Sequence, residues 1–222
     1  MSIITVANNL LGEKSARVYI FDLDDTLHNA SAHIFPVMNR AMTQYIQDHL
    51  QLEEPAACAL RQHYWKVYGA TLKGLMRHHG VDPHHFLSET HAFLSDEMVQ
   101  TTKRLKHFLK KLPGRKCVFT NAPKHYAVRV LEVLGIQECF ELVFSVESSQ
   151  FHAKPSVRGF QMLLKTLHAR PSDCVMLEDS LPALRTAKRL GMRTVWVTKK
   201  VQKPNFVDQR INSVLALTYV RV

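Results

Sequence analysis

Acidic residues follow two short apolar runs of this sequence, and their type and spacing suit metal-dependent chemistry. Asp22, Asp24 and Asp25 come directly after one run, and Glu178 and Asp179 follow another. Carboxylates that crowd into one site repel one another, which raises their pKa values. A hard divalent cation relieves this repulsion, and Mg²⁺ fits best because it takes oxygen ligands and keeps positions open for phosphate. We expect Asp22, Glu178, Asp179 and the backbone carbonyl of Asp24 to hold Mg²⁺.

Three other polar residues follow apolar runs in the same way. Thr120 and Asn121 come after one run, and Lys154 lies in the segment after the next. Hydroxyl and amide groups donate hydrogen bonds to phosphoryl oxygens, so we expect Thr120 and Asn121 to bind phosphate. Lys154 would supply a compact positive charge beside the nucleophile.

These residue types together favour phosphoryl transfer through a covalent aspartyl-phosphate. Asp22 is the predicted nucleophile. Asp24 lies two positions further on, and therefore on roughly the same side of an extended chain. There it would protonate the leaving oxygen and later take a proton from the attacking water. The metal would screen carboxylate from phosphate and stabilise the developing charge.

Five short apolar runs, rich in β-branched residues, predict the strands that position these groups. They are Val18–Phe21, Cys117–Phe119, Leu142–Val146, Cys174–Leu177 and Thr194–Val197. Amphipathic stretches of helical length separate the later runs, and two of them stop at Gly135 and Gly191, as helices often do. This alternation predicts an α/β protein with a parallel sheet. The site would lie at the carboxyl ends of the strands.

The alternation fails between the first two predicted strands. From about Ala30 to Lys111 the pattern is helical with no convincing strand. We therefore predict an inserted α-helical cap at residues 30–111, with residues 1–29 and 112–222 forming the α/β core.

The segments FDLDDTLH, FTNAP, AKPS and MLEDS resemble, in this order, the four motifs of the haloacid dehalogenase (HAD) superfamily. The resemblance spans essentially the whole chain and implies a modified Rossmann core with a helical cap of the first subfamily. It places motif one at Asp22 and Asp24, motif two at Thr120, motif three at Lys154 and motif four at Glu178 with Asp179. True dehalogenases of the superfamily lack the second motif-one Asp, so Asp24 indicates a phosphatase.

Within the superfamily, three stretches resemble the pyrimidine 5′-nucleotidase branch, which implies hydrolysis of UMP or CMP. They are LRQHYWKVYGATLKGLMRHHG, GRKCVFTNAPKHYAVRVLEVLGI and LEDSLPALRTAKRLGMRTVWV. That branch often has Asn where this chain has Asp25, and Tyr where it has His28. Two alternatives stay open: a phosphatase or phosphomutase for another small phosphoester, such as phosphoglycolate or a sugar phosphate, and a basic nucleic-acid-binding or interaction protein with an idle hydrolase core.

Residues of the predicted cap are candidates for contact with the leaving group. Arg61, Trp65, Tyr68 and Leu72 have the spacing of one helical face. Aromatic rings with a cationic neighbour suit a nucleobase and its phosphate, although such a stripe also suits ordinary packing. We name Arg61, Trp65 and Tyr68 as candidate substrate contacts. Four histidines, His78, His79, His84 and His85, are predicted to lie in an exposed loop between helices, with a zinc site as the alternative.

The charge balance is strongly basic for a chain of 222 residues. It has 29 Lys and Arg against 19 Asp and Glu, a formal net charge of +10. The segment Lys103–Lys116 has seven of these basic residues and no acid, but no zinc-finger, helix-turn-helix or RNP-like pattern accompanies it. We therefore expect no specific nucleic-acid partner. The positive field would instead attract a small phosphorylated substrate, such as a nucleoside monophosphate.

Cysteine usage and the N-terminal stretch bear on location. The four cysteines form no CxxC pair, and the start MSIITVANNLLGEKSARVY lacks the pattern of a secretory signal. No run approaches 18 apolar residues, so we expect no membrane association. These features favour a cytoplasmic protein with reduced thiols, which we expect to be a monomer or a weak dimer.

Overall fold

The computed structural model describes residues 17–100 and 103–217. Six strands form one sheet: β1 Val18–Phe21, β2 Arg115–Phe119, β3 Leu142–Phe144, β4 Cys174–Glu178, β5 Arg193–Val197 and β6 Gln209–Ile211. Every neighbouring pair is parallel, and the spatial order is β3-β2-β1-β4-β5-β6. The predicted α/β fold with a parallel sheet is confirmed.

Eight α-helices surround or extend this sheet in the described part of the chain. Five lie between β1 and β2: α1 Ala30–Leu50, α2 Glu54–Tyr68, α3 Thr71–His79, α4 Pro83–His91 and α5 Lys103–Lys111. The other three are α6 Lys124–Val133, α7 Val157–Leu167 and α8 Leu181–Arg189. The predicted helical insert after the first strand is therefore present.

The central strand β1 is buried on both faces, as expected for a parallel sheet covered by helices on each side. Its side chains alternate between two cores: Tyr19 and Phe21 pack into one, and Val18 and Ile20 into the other. The N–H of Asp22 donates to the Leu177 carbonyl oxygen at 2.9 Å. The ladder thus continues one residue beyond β1 and fixes the start of the acidic segment at the carboxyl edge.

The first four helices of the insert share a third core. Its buried side chains include Tyr45, Tyr64, Leu75 and Phe86. Helices α2 and α3 approach closely because Gly74 has no side chain: a Cβ there would lie 2.2 Å from Cγ of Tyr64.

Helix α5 packs differently from these four helices. Its Leu105 and Leu109, with Leu112 just beyond it, belong to the same core as Tyr19 and Phe21 of β1. On its basic face, Lys106 and Lys110 form ion pairs with Glu138, at 2.7 and 3.7 Å.

The structure differs from the predicted elements in four ways. β3 ends at Phe144, because the N–H of Val146 turns away to the Ala122 carbonyl. Glu178 is the last residue of β4 and does not follow it. β6 was not predicted, because it has only three residues and two of them are polar. Leu72 does not share a helix with Tyr68, because Gly69, at φ 78°, ends α2 in the left-handed conformation that favours glycine.

The structure bears only in part on the expectations that the chain has no membrane span and no secretory signal. No described helix is long and apolar enough to cross a membrane. The expected absence of a secretory signal concerns an N-terminal stretch whose first 16 residues lie outside the described part of the chain. All four cysteines lie in the described part, and none of them forms a disulfide.

Candidate active site

A buried lysine joins two carboxylates at the carboxyl edge of the sheet. Lys154, in the loop between β3 and α7, donates from Nζ to Oδ1 of Asp22 and to Oε2 of Glu178, both at 2.6 Å. All three side chains are buried. Strands β1 and β4 are neighbours, so their ends deliver the two carboxylates to one cation.

Asn121 fixes the backbone of Lys154. Its Oδ1 accepts from the Lys154 N–H at 2.7 Å, and its Nδ2 donates to the Lys154 carbonyl at 3.0 Å. Both polar atoms of the Asn121 amide are thus bonded to Lys154, which lies 33 positions further along the chain. In this geometry Asn121 positions the lysine loop.

Thr120 lies where β2 ends, directly beside this loop. Its N–H donates to the Phe144 carbonyl at 3.0 Å, which continues the β2–β3 ladder. Its hydroxyl oxygen accepts from the Ala122 N–H at 3.0 Å. In the described part of the chain the hydroxyl donates to no acceptor, so its proton is available for a phosphoryl oxygen.

Three carboxylates form the metal-binding candidate. One oxygen from each of Asp22, Glu178 and Asp179 lies within 4.8 Å of the others, and no other group of three such ligands occurs in residues 17–100 and 103–217. Burial, together with the nearby charge of Glu178, raises the pKa of Asp22 to about 7. Burial also raises the pKa of Glu178 to about 7 and that of Asp179 above its ordinary value. An all-oxygen, anionic donor set of this kind fits Mg²⁺.

Neighbouring groups fix the two acids at the end of β4. The Trp196 indole N–H donates to the Asp179 carbonyl at 2.8 Å. Oε1 of Glu178 accepts from the N–H of Ser180 at 3.1 Å. These bonds hold both acidic residues at the end of the strand.

Asp24 has hydrogen-bond partners of its own. Its Oδ1 accepts from the Tyr126 hydroxyl at 2.7 Å and is hydrogen-bonded to Nε2 of His28 at 2.9 Å. Burial and the charge of Asp24 raise the pKa of Tyr126, so the phenol remains a donor. Tyr126 was not among the predicted site residues. Its place in the first turn of α6, six residues after Thr120, is the only signal that could have found it.

Asp25 has a structural role at the entrance to the insert. Its φ is 59°, a left-handed conformation that Asn and Asp adopt more readily than most residues. Its carboxylate accepts from the N–H of Ser31 at 2.8 Å and from the Ser31 hydroxyl. Asp25 therefore fixes the start of α1.

The three candidate substrate contacts on the insert have different environments. The guanidinium of Arg61 donates to Oδ1 of Asn39 at 2.7 Å and to Oγ1 of Thr43 at 3.1 Å, which joins α2 to α1. Trp65 is 66% exposed. The Tyr68 hydroxyl is hydrogen-bonded to Nε2 of His78 at 2.6 Å. Among the described residues, no hydrogen bond joins these side chains to the carboxylate group.

One contact links this end of α2 to the lysine loop. A Cβ at Gly69 would lie 2.8 Å from Cδ of Pro155 and 3.3 Å from the Lys154 carbonyl oxygen. The C-terminal end of α2, which carries Tyr68, therefore lies against the loop that carries Lys154.

The four clustered histidines lie on helix ends and not in a loop, which corrects the prediction. His78 and His79 end α3, and His84 and His85 lie in the first turn of α4. Gly80 ends α3 and Asp82 caps the start of α4, so the connection has only three residues. All four side chains are exposed, and three of them bond to tyrosine hydroxyls.

The family model of haloacid dehalogenase-like hydrolases matches residues 19–197. The chain belongs to this family. The match confirms the superfamily that the four motifs indicated, and it includes both the helical insert and the strands whose ends carry the site residues.

Individual relatives of this HAD-family chain are distant. Phosphate metabolism protein 8 of Saccharomyces cerevisiae is 22% identical over 81% of this chain, and the match spans only 61% of that protein. Validoxylamine A 7′-phosphate phosphatase of Streptomyces hygroscopicus is 26% identical over 82% of this chain and 85% of its own length. The magnesium-bound crystal structure of YfnB from Bacillus subtilis has a TM-score of 0.60 at 17% identity and covers 90% of this chain and 96% of its own.

Proposed function

We propose that this protein is a Mg²⁺-dependent phosphomonoesterase that acts through an aspartyl-phosphate on Asp22. The observation that carries the proposal is the meeting of Asp22, Glu178 and Asp179 at one edge of the sheet, with Lys154 paired to Asp22 and Glu178. The donor chemistry supports Mg²⁺, and a relative of the same fold was solved with magnesium bound. Asp24 supports a phosphatase, because an oxygen leaving group needs a proton.

The reaction would proceed in two steps. In the first, a carboxylate oxygen of Asp22 attacks phosphorus while the P–O bond to the substrate alcohol breaks, and protonated Asp24 gives its proton to the leaving oxygen. In the second, Asp24 takes a proton from a water molecule whose oxygen attacks the same phosphorus. Inorganic phosphate leaves and Asp22 is restored.

The surrounding residues would bind and orient the phosphate. Lys154 would neutralise charge beside Asp22, and Thr120 would donate to a phosphoryl oxygen. Asn121 would act through Lys154, whose backbone it fixes. Bound by Asp22, Asp179, the Asp24 carbonyl and Glu178, directly or through water, Mg²⁺ would supply positive charge for the transferring phosphoryl group.

We infer a pyrimidine nucleoside 5′-monophosphate as substrate. The exposed indole of Trp65 and the ring of Tyr68 offer stacking surfaces for a base near the end of α2, which lies against the Lys154 loop. Arg61 is the weaker candidate, because its guanidinium is engaged by α1. A second candidate substrate is another small phosphoester, because one relative is named for validoxylamine A 7′-phosphate.

The predicted domain division stays a prediction, with an α/β core at 1–29 and 112–222 and a cap at 30–111. The assignment of this cap to the first subfamily also stays a prediction. The packing of α5 against β1 favours a cap that ends before α5. A cytoplasmic location, a monomeric or weakly dimeric state and the absence of a specific nucleic-acid partner are proposed on the same sequence grounds as before.

The function is tested by phosphate release from UMP, CMP, dTMP, AMP, phosphoglycolate and glucose 1-phosphate, each with Mg²⁺ and with EDTA. We expect UMP or CMP to be hydrolysed fastest, and EDTA to abolish turnover until excess Mg²⁺ restores it. The absence of metal-dependent turnover on every ester would contradict the enzyme proposal. A clear preference for AMP or phosphoglycolate would remove only the pyrimidine assignment.

The Asp22→Asn variant tests the nucleophile. We expect kcat to fall at least about 1000-fold, because an amide oxygen does not form the phosphoenzyme. The fold should persist, because Lys154 keeps Glu178 as a partner. The matched control is Asp48→Asn, an exposed position on α1, which should retain full activity. An active Asp22→Asn enzyme would rule out this nucleophile.

A further inference from the structure

Two donors converge on a single oxygen of Asp24. The Tyr126 hydroxyl comes from α6, 102 positions away, and Nε2 of His28 comes from the turn directly after Asp24. Tyr126 is 1% exposed, and the His28 side chain is fully buried. The Asp24 side chain itself remains 16% exposed.

This arrangement fixes the rotation of the carboxylate. Both hydrogen bonds fall on Oδ1, and in the part of the chain that the structure describes no hydrogen bond reaches Oδ2. A carboxyl group bound at one oxygen by two fixed donors presents its other oxygen in one direction. Proton transfer depends on such direction, because the acid must lie within hydrogen-bond reach of the leaving oxygen.

We propose that Tyr126 is a positioning residue for Asp24: its hydroxyl, with His28, holds Oδ1 so that Oδ2 exchanges the proton with the leaving oxygen. The inference rests on the proposed phosphatase function and adds a residue to it. In the first step the Oδ2–H bond breaks as the proton passes to the departing alcohol, and in the second Oδ2 recovers a proton from the attacking water.

The ring of Tyr126 is itself fixed by the insert. His91, the last residue of α4, packs edge-on against it with ring centroids 5.4 Å apart. The ring also lies in the core that includes Leu23 and Ile34. The phenol therefore reaches Asp24 from a rigid support, which is what a positioning residue requires.

The test compares esters that differ in their need for an acid. Tyr126→Phe keeps the ring and removes only the donor. For the alkyl phosphate that the wild type hydrolyses fastest in the panel above, we expect kcat/KM to fall about 10-fold, a part of the usual contribution of a general acid. For 2,4-dinitrophenyl phosphate, whose leaving group departs without a proton, kcat/KM should stay within about 2-fold.

The ratio of the two kcat/KM values does not depend on how much of the variant folds, so a loss of stability leaves the test valid. The matched control is Tyr45→Phe, which removes another buried tyrosine hydroxyl with a histidine partner, His85, in the insert core. Its ratio should equal that of the wild type. An equal loss on both esters, or no loss on either, would overturn the positioning role while the phosphatase proposal stands. A wild type inactive on both esters would overturn the phosphatase proposal itself, and the positioning role with it.

Discussion

His91 is a buried histidine that remains neutral at physiological pH. Burial lowers its pKa from 6.5 to about 4, and this effect exceeds that of the Leu87 carbonyl, which accepts from Nδ1 at 3.1 Å. The charged groups that face it have smaller effects: Asp24 and Glu147 raise the pKa, and His125 lowers it. Folding therefore opposes protonation at this position.

The stability of the fold should depend on pH through His91. In the unfolded chain this histidine takes a proton near pH 6.5, but in the folded chain only near pH 4, so its contribution is complete above pH 6.5 and lost as the pH falls toward 4. We expect the free energy of unfolding to fall by up to about 3 kcal/mol across this window through His91 alone. His91→Phe should abolish that part of the slope in urea unfolding at pH 7 and 4.5.

The control for this prediction is His63→Phe, at an exposed position of α2. It should keep the pH slope of the wild type. If the free energy of unfolding had the same pH dependence in the wild type and in His91→Phe, His91 would not contribute to that dependence.

At the core of the candidate site, the residues predicted from the sequence are those that belong to one of the four motifs. Asp22, Lys154 and Glu178 were found because each lies at or beyond the carboxyl end of a predicted strand, and parallel strands end at one edge. The partner of Asp24 was not found, because a single tyrosine 102 positions away gives no spacing signal. The same limit applies to Asn121: it was predicted to bind phosphate, which stays a prediction, and its contact with the backbone of Lys154 was not foreseen.

At the scale of elements, the contact between α2 and α3 depends on Gly74. Alanine is a better helix former than glycine by about 1 kcal/mol, so Gly74→Ala would stabilise an open helix. Here the added Cβ would lie 2.2 Å from the ring of Tyr64, and the facing helix must move. We expect a net loss of about 2 kcal/mol in the free energy of unfolding.

Chemical denaturation of Gly74→Ala checks this expectation. Ser88→Ala, an exposed position on α4, is the control and should change stability by less than about 0.5 kcal/mol. A Gly74→Ala variant as stable as the wild type would mean that the two helices separate without cost.

Elements with strong local signals were predicted and those without were not. The strands β1 and β4 are runs of buried apolar residues, and they were found within one residue of their ends. β6 is a short edge strand with polar side chains, so it has no apolar run to recognise. The break after α2 was missed because helical spacing continues across Gly69, although the backbone there reverses.

At the scale of the whole molecule, the net charge of +10 should favour a phosphorylated substrate. Lys199 and Lys200 are exposed just after β5, at the same edge of the sheet as the carboxylates. Replacing both with Glu should raise KM for a phosphomonoester about 3-fold at low salt and leave kcat unchanged, because the field weakens where substrate enters.

The matched control places the same charge change at the opposite edge. Lys165 and Arg189 lie in the last turns of α7 and α8, and both are exposed. Replacing both with Glu should alter KM less than the Lys199 and Lys200 pair. Equal KM changes for the two pairs, or none for either, would show that charge at the substrate edge has no special role.

The insert joins two strands that are already neighbours. β1 and β2 pair in register, with Ile20 opposite Cys117, and the insert begins after one and ends before the other. Residues can therefore be added, lost or exchanged between α1 and α4 without disturbing a single strand pairing. The positions of the strand ends that carry Asp22 and Glu178 are thus set by the sheet itself and not by the length of the insert.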